Sequence, residues 1–591
     1  MFEAFNMLIH TSMIGWVIER LIWAFFTWCI FLSGFSHADD QAPKYTFVRE
    51  ATSTPPILYY DYIVIGGGTC GCPLAATLSQ GARVLVLERG GSPYTNPEKI
   101  NIKNFLNSLF DPSPSSFAQQ FISNDGVLNA RARVLGGGSV LNAGFYSRAS
   151  SRYIRDSGWN ETLARNSYEW VENKVVFEPL IMQWQTAVKD GLLEVGVLPY
   201  NGFSLDHLYG TKVGGTIFDK DGQRHIAADL LEYADPKRIS VYLHATVQKI
   251  VFKDGSTEKG LPQAYGVIFK DAFGVIHRAY LSSKPKNEII LSAGAIGSPQ
   301  LLMLSGIGPA NHLEAHGIEV VLDQPLVGQG LADNPMNALV VPSPVPVEVS
   351  LLQTVGITNF GGYIETGSGL SLGHSWSQRL QESFKYVSNQ SRQPWTFPLE
   401  GKESVIDSIR SSLANLTFNG GVIVDKVSGP RSRGHLELKT TNPNDNPSVT
   451  FNYFKDPEDL KICVEGMKTI IDLINSKALS RFRFDYIPVQ ALIDLVLSLP
   501  VNLRPKHVHA AFSLEQYCID TVLSIYHYHG GCQYDKVIDY DHKVIGVEGL
   551  RVIDGSTFNG SPGTNPQATV MMLGRYMGER IIKERFLPVA K

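Results

Sequence analysis

The residues best placed to do chemistry in this chain begin with glycines. Gly66-Gly67-Gly68-Thr69-Cys70-Gly71 matches G-x-G-x-x-G, and Glu88 follows twenty positions after Gly68. Gly66 lets the chain turn sharply out of a strand, Gly68 lets a pyrophosphate approach the backbone, and Gly71 lets a helix pack close. The helix start offers free N–H groups and positive dipole to phosphates. An acid at Glu88 can accept hydrogen bonds from ribose hydroxyls. An apolar strand at 62–65, a helix at 72–80 and a second strand at 84–87 surround the motif in the required order. That order predicts dinucleotide binding over a merely glycine-rich turn, without separating FAD from NAD. A second glycine loop, Gly136-Gly137-Gly138-Ser139, and a small-residue turn at 292–297 are further places where backbone can approach a ligand. Four histidines form two H-x-H pairs, His507/His509 and His527/His529. Metal sites can be built so, but nothing else in the sequence supports one. Taken alone, His527 reads as a hydrogen-bonded core residue before a catalytic one. His529 shares its strand parity, so it either lines the same pocket or only packs. Asn565 before Pro566 has the pattern of a helix N-cap.

The elements that position these residues can be read in outline. At 591 residues the chain exceeds one ordinary domain. With 44% hydrophobic and 18% charged residues it is globular in composition, and a net charge of −4 gives no reason to expect nucleic acid. Residues 1–38 read as a secretory signal peptide, with the apolar run LIWAFFTWCIFL and a cleavage site near Ala38; a retained anchor is the alternative. The run is shorter than the ~20 residues of a membrane span. Secretion would make the sequons at Asn160, Asn389, Asn415 and Asn559 candidate glycosylation sites. Cys29 leaves with the signal, and Cys70 and Cys72 sit at the dinucleotide turn. Of Cys463, Cys518 and Cys532, the expected disulfide is Cys463–Cys518, since the other thiols have local structural explanations. Residues 156–188 are expected to form a packing layer of a second domain. Helices are expected from Pro299 to Leu304, over 460–474 and over 565–584. Between 325 and 517 the βαβ rhythm is lost, which predicts an antiparallel sheet with helices inserted into the nucleotide domain. The fold class is therefore α/β: a discontinuous Rossmann-like domain with an inserted α+β substrate domain. The expected bounds are 59–325 (with substrate-domain helices near 150–205), 326–519 and 520–591.

The segments ARVLGGGSVLNAGFY at 132–146, GAIGSPQLLMLSGIG at 294–308, YHYHGGC at 526–532 and RVIDGSTFNGSPGTNPQATVMMLGRYMG at 551–578 resemble the glucose–methanol–choline oxidoreductase family, in particular its plant branch. The resemblance implies non-covalent FAD, because Leu141 stands where some members attach the flavin through His. It implies cofactor contacts at Gly66, Gly68, Thr69, Cys70, Gly71, Glu88 and Arg89, and at Val134, Gly138, Asn142, Ala143, Gly144 and Phe145. Further contacts fall at Val247, Tyr526, His527, Asp554, Gly555, Asn565, Pro566 and Gln567. His527 and Asn565 become the reacting pair, a base for a hydroxyl proton and an amide for the oxygen. The implied activity is oxidation of a small-molecule alcohol, a long-chain hydroxy fatty acid or another plant metabolite, by a secreted monomer. The alternative is a hydroxynitrile lyase with non-redox FAD, but plant lyases carry His where Asn565 stands. A catalytically retired flavoprotein is the third reading, opposed by the intact glycine motifs and His527.

Overall fold

Apolar runs with no polar alternation are strands buried on both faces. Tyr62–Ile65 and Val84–Leu87 are such runs, buried at every position. They form the centre of a six-stranded, wholly parallel sheet. Its order is Val48–Glu50, Ile239–Leu243, Val84–Leu87, Tyr62–Ile65, Glu288–Leu291, Leu550–Val552. The last strand comes from the far end of the chain, so the nucleotide-binding fold is discontinuous. The computed structural model describes residues 45–253, 260–284, 286–369, 419–563 and 565–587, with Glu382, Ser383, Lys385 and Val387 from the stretch between. The expected signal peptide at 1–38, Cys29, Asn389 and Asn415 lie outside the described residues.

The fingerprint helix runs Gly71–Leu78 and is buried throughout. The C-terminal helix, Gln567–Phe586, lies against it. Two glycines four apart allow this approach: a Cβ on Gly574 would stand 2.3 Å from the Cys70 carbonyl oxygen, and one on Gly578 2.7 Å from Thr77 Cβ. Helix Glu161–Val175 packs on the same C-terminal helix and shares a core with Met571 and Met577. The segment 156–188 is thus split between layers. Tyr168, Val171 and Val175 belong to the nucleotide-binding layer, because their apolar stripe faces that helix, whereas Trp184 and Val188 pack under the second sheet. A second correction concerns Pro299. The helix there starts five residues earlier, at Gly294, and carries the proline inside it. The Asp554 carboxylate takes the Gly294 N–H (2.8 Å) and the Ser298 hydroxyl (2.6 Å), which fixes the start upstream of the proline.

Among the described residues the second sheet has eight strands and is mainly antiparallel, with Ser350–Leu351 pairing with Gly362–Ser368 off the main path. Its central strands are Pro335–Pro342, Gly420–Val427 and Gly362–Ser368, flanked by Leu523–Ser524 on one side and Thr354–Ile357, Gly210–Val213 and Tyr200–Phe203 on the other. Helix Pro457–Asn475 covers one face with Cys463, Met467, Ile470 and Ile474. Cys463 is disulfide-bonded to Cys518 of helix Leu514–Thr521, with Cα atoms 6.4 Å apart. Cys70, Cys72 and Cys532 are buried free thiols. The other face of the sheet is turned to the first domain's loops.

Candidate active site

A cavity of about 500 Å³ runs between the two sheets. Its first end is built by the glycine loops. Gly66 (φ +103°) has the Ser292 carbonyl oxygen 2.4 Å from where a Cβ would be, so the turn admits glycine only. Gly68 and Gly138 differ. A Cβ on either would meet nothing in the protein closer than 3.8 Å, and both line the cavity. The protein's own packing does not require glycine at these two positions; a ligand lying against the backbone would. Gly71 is not on the cavity wall. Its missing Cβ would sit 2.0 Å from the Gly66 carbonyl oxygen, so it serves helix packing rather than ligand contact. Thr69, Cys70, Glu88, Arg89, Val134, Val247, Asp554 and Gly555 all line this end. Both carboxylate oxygens of Glu88 are engaged, taking N–H groups of Gly67 (2.9 Å) and Gly90 (2.7 Å). Burial raises its pKa, and these two N–H donors oppose the shift. Each oxygen keeps a lone pair for a sugar hydroxyl.

The loop 142–145 joins this end to the C-terminal helix. Asn142 Nδ2 donates to Gln567 Oε1 (2.8 Å), Gln567 Nε2 donates to the Phe145 carbonyl (2.6 Å), and Gly144 N–H donates to Asn142 Oδ1 (2.9 Å). Ala143, Pro566 and Gln567 also face the cavity.

His527 and Asn565 meet at the junction between the glycine end and the second sheet, and both are nearly buried. His527 follows Tyr526, a non-glycine residue at φ +62°. Asp333 holds this turn: its carboxylate takes the His527 N–H (2.8 Å), the Ser524 hydroxyl (2.7 Å) and the Tyr453 hydroxyl (2.6 Å). Burial pushes Asp333 up to about 6, against those hydrogen bonds. The His527 imidazole is held well below its ordinary pKa by burial, the nearby Lys426 cation and His529, so it is neutral near pH 7. His529 does not face the cavity. It is buried behind, its Nδ1 3.0 Å from the His527 carbonyl oxygen. Asn565 does not cap the C-terminal helix: the cap position is Pro566, and the Asn565 amide oxygen instead accepts from Lys426 Nζ at 2.8 Å. Among the described residues no three metal-ligating side chains converge, and His507 is paired with Asp520 instead.

Beyond this pair the wall is the cavity-side parity of three adjacent strands: Met336/Ala338/Val340, Val422/Val424 and Glu365/Gly367, in register. Phe105, Leu109, Phe110, Leu351, Val496 and Val501 complete it. Sequence reasoning missed this wall, and it missed Glu365, Lys426 and Asp333. The available signal was a charge inside an apolar strand, in YIETG and VIVDKV.

The GMC oxidoreductase profile matches residues 207–336 and 430–574. The chain is 52% identical to Protein HOTHEAD of Arabidopsis thaliana over 89% of this chain and 88% of that protein. The chain belongs to the GMC oxidoreductase family. Other family relatives are an (R)-mandelonitrile lyase-like protein of Arabidopsis thaliana, 45% identical over 94% of this chain and 97% of that one, and sinalpyl alcohol oxidase Nec3 of Nesocodon mauritianus, 42% identical over 91% of both. The fold matches that of formate oxidase from Aspergillus oryzae with a TM-score of 0.68, at 17% identity over 90% of this chain and 99% of that one. As a GMC oxidoreductase, the protein uses FAD and acts on a CH–OH-type substrate. The residues present fit that cofactor. The clearance at Gly68 and Gly138 leaves room for a phosphate or ring against the backbone, and the starts of helices Gly71–Leu78 and Gln567–Phe586 face the same cleft.

Proposed function

We propose that this protein oxidises a terminal hydroxyl on a long apolar molecule, of the long-chain hydroxy fatty acid type, with His527 as base and Asn565 as oxygen ligand. The observation that carries the proposal is the polarity of the substrate end of the cavity. Asn565 and Glu365 are joined through Lys426 Nζ (2.8 and 3.3 Å), whose charge also acts on His527; His527, Asn565 and Glu365 all line the cavity, and the second-sheet wall beyond is aliphatic and aromatic. A hydroxyl placed among the three leaves its chain against Val340, Val422 and Phe110. Burial of such a chain is favourable by about 0.8 kcal/mol per methylene.

The bound flavin would supply the hydride acceptor. The protein's own work is proton and charge. A neutral imidazole at His527 takes the hydroxyl proton, and the Asn565 amide N–H faces the oxygen as negative charge grows on it. The apolar wall keeps water from the reacting carbon. Glu88 and Arg89 would hold the adenosine end, and Val134, Gly138 and the 142–145 loop the rest of the cofactor, without covalent attachment at Leu141.

The lyase reading draws on the 45% identity to an (R)-mandelonitrile lyase-like protein. Asn565 in place of His weighs against it. The Cys463–Cys518 disulfide and the exposure of Asn160 and Asn559 support a secreted location. Among the described residues no helix is long and apolar enough to cross a membrane.

Purified protein is expected to be yellow, and anaerobic mixing with long-chain ω-hydroxy fatty acids should bleach it faster than mixing with short alcohols. His527→Ala should stay yellow and lose bleaching by at least a hundredfold. Cyanide release from mandelonitrile without any bleaching would establish the lyase instead.

A further inference from the structure

Lys426 is a fully buried ammonium that the reaction just described does not use. It lies in strand Gly420–Val427 on the same parity as Val422 and Val424, which line the cavity. Its side chain has 0% exposure, as does that of Glu365. Burying a charge is costly unless it is paired, and Lys426 has three partners. Nζ donates to Asn565 Oδ1 at 2.8 Å, lies 3.3 Å from Glu365 Oε1, and stands 4.0 Å from the centre of the Tyr363 ring. The strand register places Tyr363 and Met336 directly beside it on either side. The neighbouring Asp425 points the other way, towards Gly466 of the covering helix, whose missing Cβ leaves room for it.

We propose that Lys426 is the positioning residue of the reacting pair, fixing which end of the Asn565 amide faces the substrate oxygen and placing a positive charge behind it. The inference rests on the alcohol-oxidising reading above. An asparagine amide has nearly the same shape either way round, so the backbone alone does not choose its orientation. An ammonium chooses, because it has donors and no acceptor. It can face only the amide oxygen, which turns the NH₂ towards Glu365 and the cavity. The cation also polarises that amide, so its N–H becomes a better donor as the substrate oxygen gains charge. Glu365 keeps the ammonium paired before the reaction begins. A valine or methionine at 426 would pack the strand as its neighbours do, and would leave the amide free to flip.

The test uses FAD-loaded protein and the alcohol that bleaches the wild type fastest. For Lys426→Met, flavin content and Tm report the fold. Binding of a tertiary-alcohol analogue, which has no hydride to give, is read from the shift in flavin absorbance. Anaerobic bleaching reads the chemical step. The expected result is full flavin content, analogue affinity within about threefold of wild type, and bleaching slowed by about a hundredfold, the loss typical of one oxyanion donor. Lys426→Arg, which still donates to the amide oxygen, should recover at least a tenth of the wild-type rate. In Asn565→Ala, adding Lys426→Met should cost little more, because both act through one amide. Bleaching by Lys426→Met within threefold of wild type would overturn the inference, as would equal losses in affinity and rate, or losses that multiply in the double variant. If Lys426→Met fails to hold FAD, Lys426→Gln and Lys426→Arg are measured in the same way, and equal rates for the two overturn it. A wild type that no alcohol bleaches overturns the proposed function itself, and this inference with it. A wild type that bleaches beside an equally fast Lys426→Met overturns the inference alone.

Discussion

His527 shows how a side chain's surroundings set its chemistry. Burial, Lys426 and His529 all disfavour the imidazolium, so the folded pKa lies well below 6.5. A base works only when unprotonated. The bleaching rate should therefore stay flat as pH falls through 6.5, with its acid limb at lower pH. Stopped-flow bleaching between pH 5 and 8 checks this, and a midpoint at or above 6.5 would remove His527 from the role of base. The fingerprint glycines were legible by their own type and spacing, whereas His527 and Asn565, which alone read as a core histidine and a helix N-cap, stood out only through the family resemblance. Lys426, Glu365 and Asp333 were not legible. A charge in a strand normally reads as a solvent-facing position, and only the register shows that 422, 424 and 426 share the buried side. Asn565 was legible as a residue but not in its contacts, since its lysine partner is 139 positions away.

At the scale of elements, the glycines of the fingerprint divide into two kinds, and substitution should separate them. Gly71→Ala drives a Cβ against the Gly66 carbonyl oxygen at 2.0 Å, backbone against backbone. It should destabilise the fold by about 1–3 kcal/mol or more. Gly68→Ala finds 3.8 Å of clearance, so the unliganded fold should tolerate it while flavin occupancy falls. The 450 nm to 280 nm absorbance ratio and the Tm of each variant read the two effects; loss of fold rather than flavin in Gly68→Ala would contradict this division. The central parallel strands Tyr62–Ile65 and Val84–Leu87 were readable as uninterrupted apolar runs because both of their faces are covered, whereas the edge strand Val48–Glu50, with Arg49 and Glu50 exposed, carried no such signal. The outer strands of the second sheet, Tyr200–Phe203 and Gly210–Val213, are short and glycine-bearing, and gave no period to read. Helix Glu161–Val175 was visible by its spacing but not by its layer, since an apolar stripe does not name the partner it faces.

Across the whole molecule, buried titratable groups tie stability to pH. His542 lies in the segment leading to strand Leu550–Val552, 1% exposed, its ring nitrogens against the Val552 carbonyl (2.9 Å) and the Tyr534 hydroxyl. Burial holds it down to about 3 in the folded state, against an ordinary value of 6.5. Between those values the unfolded chain binds the extra proton. The contribution is therefore present above pH 6.5 and is lost as pH falls. His542→Asn, which tolerates the local φ of +64°, removes that dependence. Its stability deficit relative to wild type should shrink by about 2 kcal/mol between pH 6.5 and pH 5; denaturant titrations at the two pH values measure it. The first sheet also has a temporal consequence. Its sixth strand is Leu550–Val552, and the helix that seats against the fingerprint follows it. During synthesis the ribosome has released most of the polypeptide before either can dock. The cleft is then finished only once residues 550–586 have been made, and a premature stop anywhere before codon 550 would yield a product lacking both that sheet edge and Asn565.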